Sequence, residues 1–87
     1  MTIVKLVRNK LTDECIIKSI PYLNNVVMLN VSRNELTEKS IEFLLNFRKE
    51  GGLRSLKSLM IGQNKIIERK NKEMLDEFRR MGVNICN

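Results

Sequence analysis

The sequence predicts an α/β fold in which short parallel strands alternate with helices in a repeated unit. Apolar residues alternate with other residues in short segments such as Leu29-Asn30-Val31, which is typical of a strand with one buried face. An asparagine follows each of these segments, and its copies are separated by 25 and 30 residues. Repetition with this period favours a solenoid over a doubly wound sheet.

The repeated unit is a frame of three apolar positions, an asparagine and a further apolar position. Its copies are Met1, Val4, Leu6, Asn9 and Leu11; Val26, Leu29, Val31, Asn34 and Leu36; and Leu56, Leu59, Ile61, Asn64 and Ile66. An asparagine amide both donates and accepts, so it can satisfy main-chain groups where a strand turns. We therefore expect Asn9, Asn34 and Asn64 to form a structural ladder and not a binding site.

A helical segment follows each turn. The three predicted helices span residues 12–20, 37–49 and 69–81. Pro21 should end the first helix, Gly51-Gly52 the second and Gly82 the third. Residues 83–86 then form a last short strand. Each connection has the length of one right-handed crossover, which implies a parallel sheet with the helices outside it.

Several other residues have simpler expected roles. Tyr22, Leu23 and Leu53 lie in the linkers before strands, where they should fill the far side of the core. We expect Cys15 to be a core or semi-buried thiol and Cys86 to end the last strand. The acid pairs Asp13-Glu14 and Asp76-Glu77 are interpreted as solvated charge on helices and not as a catalytic dyad.

These motifs resemble a known family. Val26-x-x-Leu29-x-Val31-x-x-Asn34-x-Leu36 is similar to the leucine-rich-repeat consensus, and the Asn-x-Leu-Thr-acid continuation at 9–13 and 34–38 resembles the ribonuclease-inhibitor-like subclass. The resemblance implies one domain, 1–87, that forms a short right-handed solenoid with strands on its concave side and helices on its convex side. The repeats would span approximately 1–25, 26–55 and 56–82, followed by the terminal strand 83–86. Such arrays usually bind proteins.

The side chains opposite the buried strand positions would point out of the concave face. The candidate partner-binding residues are Ile3, Lys5, Val7, Arg8, Met28, Asn30, Ser32, Arg33, Ser58, Met60 and Gln63. Met1 already occupies the first frame position, so the N-terminal edge is expected to be uncapped. We expect this edge to dock on a partner protein, to self-associate, or to belong to a longer array. Partner identity and oligomeric state stay open.

The charge distribution supports an alternative partner. The net charge is +6, and residues 48–87 carry ten Lys and Arg against five acids. Nucleic acid or an acidic partner would then bind a basic patch in the C-terminal half. The residues of this basic patch are Arg48, Lys49, Arg54, Lys57, Arg79 and Arg80.

Composition argues against catalysis. The chain has no histidine, so Ser-His-Asp and Cys-His arrangements cannot form, and a zinc site lacks its usual ligands. No glycine precedes a phosphate-binding GK[ST] motif. We expect no enzymatic activity, cofactor or metal.

Two distant cysteines favour a reducing, cytoplasmic location inside the cell. The apolar runs are shorter than the ~18 residues of a membrane span, so no membrane association is expected.

Overall fold

The computed structural model describes residues 2–23, 25–66 and 69–86, in which four strands and three helices alternate. The elements are β1 (Thr2–Lys5), α1 (Asp13–Ser19), β2 (Val26–Asn30), α2 (Glu38–Lys49), β3 (Ser58–Met60), α3 (Lys72–Arg80) and β4 (Asn84–Cys86). The strands form one parallel sheet in the order β1-β2-β3-β4. The predicted α/β class with a small parallel sheet is therefore confirmed. Met1, the first frame position, lies outside the described residues.

One face of this sheet is buried. Val4, Leu29, Leu59 and Ile85 are in register across the four strands. Leu29 and Leu59 are fully buried, and Val4 packs against the same apolar cluster. The alternation seen in the sequence thus aligns the strands, because a shift of one residue would turn this whole row outward.

The helices cover the buried face of the sheet. Helix α2 packs against both α1 and α3. Ile16 of α1, Leu44 of α2 and Phe78 of α3 are fully buried and join the strand residues in a single core. Among the described residues, none of these helices combines the length and the apolar character needed to cross a bilayer.

Glycines end α2 and α3 in the same way, as the sequence predicted. Gly51 has a left-handed φ of +98°, and the N–H of Gly52 donates to the carbonyl of Phe47 at 2.9 Å. After α3, Gly82 has φ +85°, and the N–H that follows it donates to the carbonyl of Phe78 at 3.0 Å. Both loops are Schellman motifs, which satisfy helix carbonyls and turn the chain toward the next strand.

Two sequence predictions about burial are wrong. Tyr22 is 85% exposed, because the chain continues from α1 into a 3-10 turn, Ile20–Tyr22, in which Ile20 fills the core. Cys15 is also exposed. Ile16 and Ile20 are four residues apart and share the buried side of this segment, so Cys15 lies on the outer side.

Candidate interaction surface

No helix of the described residues covers the second face of the sheet, and we call it the open face. Its first row aligns Ile3 of β1 with Met28 of β2 and Ser58 of β3. The neighbouring row aligns Lys5, Asn30 and Met60. None of these six side chains is buried, and Ile3 is 59% exposed. The structure therefore brings together six of the residues that the sequence nominated for partner binding.

Strand β4 extends both rows with residues that the sequence analysis missed. Asn84 pairs with Ser58, and Cys86 pairs with Met60. The signal was present, because Ile85 is the buried residue of this strand and its two neighbours must therefore face the other side. The open face thus crosses four strands.

A shallow hollow lies at the carboxyl ends of the strands. Its volume is about 220 Å³. The lining residues are Asn30, Ser32, Arg33, Met60, Gly62, Gln63 and Cys86. Oδ1 of Asn30 accepts a 2.7 Å hydrogen bond from Oγ of Ser32, which fixes both polar groups. Small-molecule sites usually enclose about 300–1,000 Å³, so this hollow better fits a side chain of a partner protein.

Three residues at the rim of the open face have left-handed backbone conformations. The φ angles of Arg8, Arg33 and Gln63 are 61°, 59° and 56°. All three are exposed, and each is the third residue after the end of its strand. A left-handed conformation costs a non-glycine residue about 1–2 kcal/mol. Val7, another nominated residue, is half-buried beside Arg8.

Asn34 is buried and hydrogen-bonded to the main chain after β1 and after β2. Its Oδ1 accepts hydrogen bonds from the N–H groups of Asn9 and Leu11, both at 2.9 Å. Its Nδ2 donates to the carbonyls of Leu6 at 2.6 Å and Val31 at 2.9 Å. The side chain of Asn34 thus forms hydrogen bonds with four main-chain N–H and carbonyl groups that are not paired between the strands.

Asn64 makes equivalent contacts after the next strand, β3. Its Oδ1 accepts from the N–H groups of Asn34 at 3.1 Å and Leu36 at 3.0 Å, and its Nδ2 donates to the carbonyl of Val31 at 2.9 Å. Asn9 differs because it is exposed. Its main-chain N–H donates to Asn34, but its side-chain amide has no hydrogen-bond partner within the described part of the chain. Asn34 and Asn64 each accept hydrogen bonds from the loop that follows the preceding strand, and none of the described residues forms a strand before β1.

Asp13 links α1 to the start of α2, which corrects its interpretation as solvated charge. Its carboxylate accepts hydrogen bonds from the N–H of Thr37 at 2.9 Å and from the hydroxyls of Thr37 and Ser40. Partial burial raises the pKa of Asp13, but these hydrogen bonds from Ser40 and Thr37 outweigh it and hold the pKa below its ordinary value of 3.8. The ionised carboxylate therefore stabilises the contact between the two helices.

We expect Asp13→Ala to lower the free energy of unfolding by about 1 kcal/mol at pH 7, since Asp13 is partly exposed to solvent. The folded pKa is depressed, so the stabilisation is complete above the unfolded pKa and is lost as the pH falls through the folded pKa. Urea denaturation should thus give a smaller difference between the variant and the parent at pH 2 than at pH 7. An equal difference at both pH values would contradict this role.

The basic patch residues lie along one edge of the fold. The strands are parallel, so helix ends and strand starts share an edge, and α2, α3 and the loop before β3 contribute to it. Part of its charge is neutralised. Nζ of Lys49 lies 2.6 Å from Glu77, and Arg79 pairs with Asp76 at 2.8 Å. Nε of Arg54 donates to a loop carbonyl at 3.1 Å.

The chain matches no family model, and no solved structure matches it. Over 54 residues, 62% of this chain, it is 33% identical to glucose-6-phosphate isomerase from Buchnera aphidicola subsp. Schizaphis graminum (strain Sg). The matched segment is 10% of that isomerase, so the chain spans about a tenth of the length of this curated relative. Within the described residues, no group of three or more Cys, Asp or Glu side chains could hold a metal ion.

Proposed function

We propose that this chain is a leucine-rich-repeat protein of the ribonuclease-inhibitor-like subclass that binds another protein. In this proposal the sheet and helices form a short right-handed solenoid, with the open face on its concave side. The frame spacing supports it, as do the sequential order of the strands and the equivalent contacts of Asn34 and Asn64. The observation that carries the binding function is the open face itself, whose rows stay unburied across four strands.

The composition of the open face suits a protein partner. Ile3, Met28 and Met60 supply apolar contact, and methionine adapts its shape to different surfaces. Asn30 and Ser32 supply polar groups between them. Arg8 and Arg33 stand at the rim, where charge favours specific pairing over bulk affinity.

The size of the molecule bounds the affinity. Its two longest dimensions, measured between Cα atoms, are 26 Å and 26 Å. The whole molecule presents a cross-section of roughly 700 Å² along these two dimensions, and the open face is only part of it, so it is smaller than the ~800 Å² that each partner buries in a standard interface. We therefore expect a moderate, micromolar affinity unless the partner also contacts a neighbouring surface.

The free edge of β1 is such a neighbouring surface. Within the described residues, β1 pairs with β2 on one side only. An extended segment of the partner could add a strand there, since main-chain hydrogen bonds would continue the sheet. Ile3 lies on β1, is exposed, and would become buried in the complex. In our proposal the partner covers the open face and this edge together.

Charge reversal locates the contact. Nuclease-treated lysate is passed over the immobilised parent chain, over Lys5→Glu/Arg33→Glu and over Arg79→Glu/Arg80→Glu, and the retained proteins are compared by mass spectrometry. The two variants change the net charge equally. We expect proteins that are retained by the parent and by the second variant to be lost with the first. Loss with the second variant alone would place the contact off the open face.

Sedimentation velocity separates a partner from self-association. Our proposal predicts a monomer at micromolar concentrations, with the open face and the β1 edge available. A concentration-dependent dimer that Lys5→Glu/Arg33→Glu disrupts would instead identify a second copy of the chain as the occupant.

A further inference from the structure

Tyr22 has an exposed ring that the protein-binding proposal does not use. It is 85% exposed, more than any other large apolar side chain in the described structure. Burying a tyrosine ring is favourable, so a ring that is left in water at a fixed turn is available for contact with a ligand. Tyr22 is also the sole tyrosine of the chain, which has no tryptophan.

The topology places Tyr22 on the same edge as the basic patch. Tyr22 ends the turn after α1 and precedes β2, just as Arg54 and Lys57 precede β3 and Arg80 ends α3. Asn25, three residues after Tyr22, lines a hollow of about 360 Å³ together with Arg54 and other residues of the loop before β3. Tyr22 and the basic patch therefore lie along the same edge of the fold, which we call the basic edge.

The charge of the basic edge is partly available for a ligand. Lys49 and Arg79 form salt bridges, and Arg80 interacts at longer range with Glu77. Arg54, Lys57 and Arg80 are nevertheless exposed, and none of the three lies within salt-bridge distance of a carboxylate in the described structure. The net charge of the whole chain is +6, so the long-range field also attracts an anion.

We propose that the basic edge binds single-stranded nucleic acid, with a base stacked on Tyr22 and phosphates held by Arg54, Lys57 and Arg80. Sites for single strands combine cations that follow the backbone with an aromatic ring on which a base can stack, whatever its sequence. A duplex hides its base faces and an acidic peptide has none, so neither would use the exposed ring. This function goes beyond binding of a protein at the open face and does not depend on it.

Fluorescence anisotropy with a labelled 12-nucleotide oligo(dT) or oligo(rU) tests the proposal at low salt. We expect binding to at least one of them, an approximately tenfold weaker affinity for Tyr22→Ala, and nearly full affinity for Tyr22→Phe, which keeps the ring. Lys57→Gln/Arg80→Gln should also bind more weakly and should reduce the salt slope by about 1.4, or 0.7 for each lost phosphate contact. The matched control is Lys39→Gln/Lys70→Gln, which removes equal charge from exposed sites on the opposite edge and should bind like the parent.

Proton NMR reports the stacking directly. The ring signals of the single tyrosine should shift upfield when either oligonucleotide is added, because a stacked base shields them. The proposal is overturned if neither oligonucleotide binds, if the ring signals stay in place, or if Tyr22→Ala binds like the parent. Equal competition by a duplex or by a 12-residue polyglutamate would also overturn it, since bare charge would then explain the binding.

Discussion

Phe78→Ala should lower the free energy of unfolding by about 4 kcal/mol, because it leaves a large cavity in the core. Phe78 is the largest fully buried side chain and packs from α3 into the core that the helices share with the sheet. A domain of this length has a total stability of only about 4–13 kcal/mol. The variant should therefore be close to unfolding at room temperature, which urea denaturation followed by circular dichroism would measure.

Two further substitutions allow the loss of stability in Phe78→Ala to be compared with smaller expected losses. Phe78→Leu keeps most of the apolar volume and should cost about 1–2 kcal/mol. Phe43 is only partly buried and stacks on Phe47 with ring centroids 6.0 Å apart, so Phe43→Ala should cost clearly less than Phe78→Ala. Equal losses of unfolding free energy for Phe43→Ala and Phe78→Ala would show that Phe78 does not pack α3 into the core as described.

Asn34→Ala should lower the free energy of unfolding by about 3 kcal/mol. The substitution removes both acceptor and donor, and it leaves the N–H groups of Asn9 and Leu11 and the carbonyl of Leu6 without their partner. The carbonyl of Val31 keeps its hydrogen bond from Asn64. Each buried group left unsatisfied costs about 1–3 kcal/mol, and water can reach some of the three. Thermal and urea denaturation should both show the loss.

Asn9→Ala is the matched control for Asn34→Ala. It changes the same residue type at the same frame position, but Asn9 is exposed and its side-chain amide has no hydrogen-bond partner within the described residues. The cost should stay below about 0.5 kcal/mol. If the two variants were equally stable, the hydrogen bonds of Asn34 would contribute nothing net to folding.

The elements that the sequence predicted well depend on local rules. Alternating apolar residues identified the register of Leu29 with Leu59, because only one register buries both. Gly51 and Gly82 marked helix ends, since few other residues adopt a left-handed φ at low cost. The rows of the open face followed from the same alternation. The leucine-rich-repeat assignment stays a proposal.

The features that the sequence did not predict depend on contacts between distant residues. The hydrogen bonds from Thr37 and Ser40 to Asp13 join residues more than 20 positions apart, and a pair of helical acids gives no sign of them. The exposure of Tyr22 depends on how the 3-10 turn leaves α1. Its place beside the basic patch follows only once the strands are known to be parallel.

The left-handed backbone conformations of the three rim residues determine which substitutions the fold tolerates there. Glycine at Arg8, Arg33 or Gln63 would relieve about 1–2 kcal/mol of backbone strain and cost about 0.5–1 kcal/mol of chain entropy. Folding therefore gives no reason for long polar side chains there. A triple-glycine variant should keep the fold while losing the three long side chains. The identity of these three residues can therefore change with the partner that they contact, without a loss of stability.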